Sequence, residues 1–326
     1  MRATGLLFGL TAFLAATSLA GGAAGVPEFG LTFYPLPIAL YGAIGRWKSA
    51  WLLVVTAALC GVAVMADALS VSTFVLLAAL GLPIAFGLWR GWGFGQTLAA
   101  TATWASVACV MEMTFRWERW IAFRKAGIDR MMAMLQTPNL DTASEVDLAR
   151  LEALRSALEF GREHFASIGV GMMIASMILL AAVYTSVTAW VANRVLRRPA
   201  LRIAFRDMRP PDSLVWVVIA VAIAILANQR WPHPLVEFVS WNAAVVLATV
   251  YWLNGLSLFA YVFYTLQSPV LIALALLVLM MYLVTSQFHI VCMFGFFDTW
   301  AVFRRRLDTW LAEREKMDTD SGDDSF

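Results

Sequence analysis

Long apolar runs alternate with short polar connections along this chain, and the pattern predicts membrane-spanning helices. Most of the runs reach the roughly 17–25 residues that a helix needs to cross a hydrocarbon core about 30 Å thick. The predicted spans cover residues 5–25, 30–45, 49–67, 71–89, 94–113, 166–193, 214–229, 235–266 and 269–296. We therefore expect an all-α fold, a polytopic transmembrane bundle of about eight or nine spans with one amphipathic helical insert.

The insert, residues 114–165, is the one hydrophilic stretch within this pattern. Its first half interleaves aromatic residues with Arg and Lys, a composition typical of a helix in the headgroup region. In its second half, Thr142 and Glu145 fit a capping box and leucines follow at helical spacing. We predict a helical hairpin, hinged near Pro138, that packs on the membrane surface or on a partner. A solvated structural connector is the alternative.

A basic connection, which we call the elbow, covers residues 194–216 and carries six arginines between two apolar runs. Short loops rich in Lys and Arg remain in the cytoplasm, so the elbow is predicted to face the cytosol. Nine spans would place the basic C-terminal segment on the opposite side; we give the elbow more weight and expect the C-terminus inside. The chain then divides into a transmembrane block 1–113, the insert 114–165, a second transmembrane block 166–303 and a charged tail 304–326.

Composition narrows the class of protein further. Hydrophobic residues make up 61% of the chain and charged residues only 14%, against about 25% in a soluble domain. A net charge of +2 leaves no nucleic-acid footprint. The three cysteines fall inside predicted spans without a CxxC spacing, so we expect neither a disulfide framework nor a metal site. The expected location is a bacterial inner membrane, with the lipid bilayer as the main partner.

The first apolar run permits two interpretations. Ser18, Leu19 and Ala20 resemble the small-residue cleavage site of a signal peptide, but we favour a retained span because further apolar runs follow at once. Within this span Ala12, Ala16 and Ala20 recur every fourth residue and can form a smooth face for another helix.

Polar groups inside spans are costly and indicate candidate sites. The eighth run, which we expect to be interrupted at Asn254 and Gly255, and the ninth run carry most of them. If these helices face each other, amides, an imidazole and aromatic rings would line a pocket for a neutral heterocycle. The candidate ligand-binding residues are Asn242, Asn254, Gln287, His289, Trp241, Tyr251 and Trp252. The alternative is that the polar groups only form hydrogen bonds between helices.

Catalytic chemistry leaves no signature in the sequence. There is no HExxH, GxSxG or P-loop motif, and the three histidines lie far apart, so we expect no enzyme activity, cofactor or metal. Basic residues beside the spans are instead candidates for contact with anionic lipid or with a protein partner. They are Arg202, Arg206 and Arg209 in the elbow and Arg304, Arg305 and Arg306 after the last span.

Three segments carry a family resemblance. They are FRDMRPPDSLVW at 205–216, the run 242–258 with YWLNGL at 251–256, and GFFDTWAVFRR at 295–305. In this order they resemble the YybS-like family of multi-pass bacterial membrane proteins. That family is similar in fold to the substrate-binding S components of energy-coupling-factor transporters and to the rod-shape protein MreD. The S components meet their coupling partner through an Ala-xxx-Ala face, and Ala12, Ala16 and Ala20 match that position.

The resemblance implies two alternative functions. The first is an S-component-like subunit that binds and takes up a small, vitamin-like molecule with a separate energising module. The second is a membrane scaffold, closer in role to MreD, that holds other subunits through the insert and the elbow. Ligand binding predicts that Asn242, Asn254, Gln287 and His289 converge on a polar cavity, whereas a scaffold predicts a filled core and an exposed apolar patch.

Overall fold

The computed structural model describes residues 35–43, 45–64, 80–135, 145–195, 204–266, 288–301 and 303–322. This part of the chain is helical and contains no strand, which confirms the predicted all-α class. The helices are α1 (Pro35–Ala43), α2 (Trp47–Val64), α3 (Gly81–Arg90), α4 (Phe94–Leu135), α5 (Glu145–Val195), α6 (Leu214–Arg230), α7 (Pro234–Leu266), α8 (Phe288–Ala301) and α9 (Phe303–Gly322), with a 3₁₀ turn at Phe205–Asp207.

Two helical segments in the described residues are long and apolar enough to cross a membrane, Ser167–Asn193 in α5 and Pro234–Thr265 in α7. Shorter apolar helices occupy Leu214–Arg230 and Phe288–Ala301. These four correspond to the predicted spans at 166–193, 235–266, 214–229 and the end of 269–296. The total of eight or nine spans stays a prediction.

The two longest helices, α4 and α5, pair as a hairpin. The 42 residues of α4 and the 51 of α5 correspond to lengths of roughly 63 and 76 Å at 1.5 Å per residue. Both helices continue without a break across residues 114 and 166, so the charged insert extends the predicted spans. Arg162 pairs with Asp129 at 3.2 Å within the charged part of the hairpin, and Phe94, at the start of α4, contacts Phe205 of the elbow. The predicted hinge at Pro138 lies outside the described residues.

One prediction about α7 is wrong. The sequence pattern suggested an interruption at Asn254 and Gly255, but α7 runs unbroken from Pro234 to Leu266. The glycine serves packing: a Cβ at Gly255 would overlap the backbone carbonyl of Val291, and one at Gly295 would overlap that of Tyr251. Small residues let membrane helices cross closely, and these two glycines permit the contact between α7 and α8.

The elbow and the start of α9 lie at the same end of the bundle. The Arg304 guanidinium donates a hydrogen bond of 2.7 Å to the backbone carbonyl of Arg206. The elbow and the C-terminal segment are therefore adjacent. That both lie on the cytosolic side of the membrane stays a prediction.

Candidate functional site

A group of buried polar side chains joins α7, α8, α9 and the elbow. We call Asn254, Ser257, Asp298 and Arg304 the polar latch. All four lie where the end of α8, the start of α9 and the 3₁₀ turn of the elbow meet the middle of α7. The elbow contributes backbone carbonyls to the latch. These carbonyls are available because Pro210 and Pro211 follow the turn, and the chain forms no helix there whose hydrogen bonds would occupy them.

Arg304 is the centre of the polar latch. Besides the Arg206 carbonyl, its guanidinium donates to the Ser257 hydroxyl at 2.7 Å and approaches the Asn254 side-chain oxygen at 3.4 Å. Its Nε lies 3.1 Å from an Asp298 carboxylate oxygen, and the two side chains are only 11% and 1% exposed. Burial lowers the pKa of Arg304 from its ordinary value, and the Asp298 charge opposes that shift.

The other latch residues hold the helices together. Asn254 donates from Nδ2 to the Gly295 carbonyl at 2.7 Å, which ties α7 to α8. Ser257 donates to the Met208 carbonyl at 3.0 Å, which ties α7 to the elbow. Among the described residues, neither carboxylate oxygen of Asp298 has a hydrogen-bond donor in suitable geometry, and the Nε of Arg304 has no acceptor in suitable geometry. The contact between Asp298 and Arg304 is therefore a buried ion pair at 3.1 Å without an aligned hydrogen bond.

A cavity of about 840 Å³ lies on the other side of the elbow, between α4, α5 and α7. We call it the elbow cavity. Its wall is mostly apolar, and its polar groups include Gln96, Asp207 and Arg209 near the start of α4 and in the elbow. The apolar lining includes Leu98, Ala102, Ile174, Ile178, Val246 and Val250. Met208 also lines the cavity, so the elbow is a shared wall between cavity and latch.

The two candidate asparagines do not share a pocket. They lie twelve residues apart on α7, a separation of roughly 18 Å at 1.5 Å per residue. Asn242 accepts a hydrogen bond from the Gly171 amide and donates to the Ser167 carbonyl, so it links α7 to α5. Asn254 belongs to the polar latch. Both amides therefore make the interhelical hydrogen bonds that were the alternative to ligand binding.

The remaining candidate ligand residues are also dispersed. Trp241 and His289 are exposed, Tyr251 is buried against Phe296, and Trp252 stacks on Phe288. Gln287 lies outside the described residues. The described candidates do not converge on one polar cavity, and none of them lines the elbow cavity.

The basic candidates separate into buried and exposed groups. Arg304 was expected to contact lipid or a partner, but the structure commits it to the latch, because the buried Asp298 charge needs a cation. Arg206 stacks on Tyr264 at 3.3 Å, and Arg209 lines the elbow cavity. Arg305 and Arg306 are exposed. The remaining candidates, Ala12, Ala16, Ala20 and Arg202, lie outside the described residues.

The elbow cavity as a whole had no signal in the sequence. Of its lining, only Arg209 was a candidate contact residue, and the three helices contribute residues that look like ordinary span residues. The latch had a partial signal, since Asn254, Asp298 and Arg304 are polar residues in or beside apolar runs. Ser257 gave none.

A family model described as "Predicted membrane protein (DUF2232)" matches residues 10–299. No curated protein and no solved structure matches the chain.

Proposed function

The chain belongs to this family of predicted membrane proteins, and from that premise we propose that it is a membrane-embedded protein that binds a small molecule in the elbow cavity. The resemblance of the elbow and the C-terminal motifs to YybS-like proteins extends the proposal. In that form the protein is an S-component-like uptake subunit. Because its sequence contains no P-loop, a separate module would supply the energy for uptake.

The cavity is the observation that carries this proposal. Its volume of about 840 Å³ falls within the roughly 300–1,000 Å³ typical of small-molecule sites. A largely apolar wall with a few polar groups is the usual composition of such sites.

Filling the cavity tests the proposal. Ala102→Phe and Val107→Trp add bulk to two lining positions of α4, whereas Val110→Trp adds the same side chain at an exposed α4 position outside the lining. Mass spectrometry of small molecules that co-purify with the full chain should show a compound in the unmodified protein and in the Val110 variant. Both lining variants should lack it. If both retain the compound while remaining folded, the cavity is not the binding site.

The α4–α5 hairpin supports a second candidate, the scaffold. Residues 145–166 of α5 precede its apolar segment and correspond to roughly 33 Å of helix, more than a turn or connector requires. Met131 and Leu154 are exposed apolar residues on this part of the hairpin. Replacing both with Lys should abolish co-purification of a stoichiometric protein partner and leave small-molecule content unchanged. Unaltered partner content would contradict the scaffold role.

A further inference from the structure

We propose that the elbow cavity holds an acyl chain of an anionic membrane lipid and that Arg209 binds the headgroup. This inference rests on the proposed function, because it names the class of molecule that occupies the same cavity. It replaces the neutral heterocycle expected from the sequence with an amphiphile.

The shape and lining of the cavity suit a hydrocarbon chain. Along α4 the part of the lining beyond Gln96 extends from Leu98 to Val107, a rise of roughly 14 Å. Half of a bilayer core about 30 Å thick is about 15 Å, so a chain from one leaflet matches this length. The facing walls contribute Ile174, Ile178 and Val250, whose branched aliphatic side chains offer no hydrogen bond.

Charge is confined to one end of the cavity. Among the described residues that line it, only Asp207 and Arg209 are charged. Asp207 pairs with Arg206 at 3.6 Å, which compensates its charge. Arg209 is exposed and has no ion-pair partner within 4.0 Å among the described residues, and Asp212, three residues later, is outside the lining. The mouth of the cavity therefore presents an exposed guanidinium without a close ion-pair partner among the described residues, which favours an anionic headgroup.

The position of Arg209 fits a headgroup rather than a chain. Gly93, Phe94 and Gln96 line the same end, and α4 begins at Phe94, where the predicted span also begins. Helix ends lie at the level of the lipid headgroups, and basic residues there attract anionic lipids. Ala99, Thr103 and Val107 line the cavity yet are exposed, so the cavity is open along α4 on the side from which a lipid chain can enter.

The elbow is also held in place for this role. Ser257 and Arg304 bind the carbonyls of Met208 and Arg206, the residues just before Arg209. Pro210 and Pro211 then fix the backbone that follows. A site held in its bound conformation loses less entropy when a ligand binds.

Photolabelling tests this inference on the full chain in phosphatidylcholine nanodiscs. Two probes carry the same photoactivatable acyl chain, one as phosphatidylglycerol and the other as phosphatidylcholine, and labelled peptides are mapped by mass spectrometry. Phosphatidylglycerol should label the cavity-lining peptides of α4, α5 and α7 more strongly. Arg209→Gln should reduce that labelling about fivefold and leave phosphatidylcholine labelling unchanged. Arg305→Gln, an exposed arginine away from the cavity, is the matched control and should change neither.

The outcomes separate this inference from the proposed function. Equal labelling by both lipids with no effect of Arg209→Gln overturns the anionic-lipid inference, while a co-purified compound lost in Ala102→Phe would keep the proposed function. Preferential labelling by photoactivatable palmitate added from solution also overturns the inference, because the occupant would then be a soluble amphiphile. If Ala102→Phe and Val107→Trp change neither lipid labelling nor small-molecule content, both proposals fail.

Discussion

Replacing Arg304 with Gln should destabilise the protein strongly, because it removes the cation that pairs with the buried Asp298. The substitution breaks the 3.1 Å ion pair and the two 2.7 Å hydrogen bonds to the Arg206 carbonyl and the Ser257 hydroxyl. Removing one partner of a buried ion pair costs about 3–5 kcal/mol. We expect the free energy of unfolding to fall by that amount.

The measurement is reversible unfolding of the purified chain in mixed micelles with increasing SDS, followed by circular dichroism. The matched control is Arg305→Gln at the next position, which is exposed and should change stability by less than about 0.5 kcal/mol. Asp298→Asn completes a double-mutant cycle. In that background Arg304→Gln should cost less, with a coupling energy of about 0.5–3 kcal/mol. Equal costs for Arg304→Gln and Arg305→Gln, or zero coupling, would refute the latch.

Three further predictions use the same unfolding assay. Gly295→Ala should lower the free energy of unfolding by about 1–3 kcal/mol, because the added Cβ overlaps the Tyr251 carbonyl. Gly127→Ala, which has open space around it in α4, should instead raise the free energy of unfolding by about 0.5–1 kcal/mol. The same sign for both substitutions would contradict the close crossing of α7 and α8. Asn242→Leu should cost about 0.6–1.7 kcal/mol through lost hydrogen bonds to α5, and no loss would show that they contribute nothing. Arg162→Gln should cost less than about 1 kcal/mol, since its pair with Asp129 is half exposed, and a larger loss that persists in high salt would be inconsistent with this interpretation.

The sequence by itself determined the class of the protein. Apolar runs long enough to cross a bilayer can satisfy their backbone only as helices, so the all-α fold, the limits of α6 and α7 and the end of α5 followed from local pattern. The elbow could also be predicted from local sequence, because its arginines and its Pro210–Pro211 pair affect the segment that contains them and not a distant one.

Only the tertiary structure decided which polar residues meet. Asn242 and Asn254 lie on one helix and look equivalent in sequence, but one binds α5 and the other joins the latch. Arg304 reads like Arg305, yet its guanidinium points inward because Asp298, six residues earlier, is buried at the same level. The elbow cavity is a space between three helices and a turn. Periodicity reports the face of a helix that packs, but the gap left between packed faces depends on how distant segments approach one another.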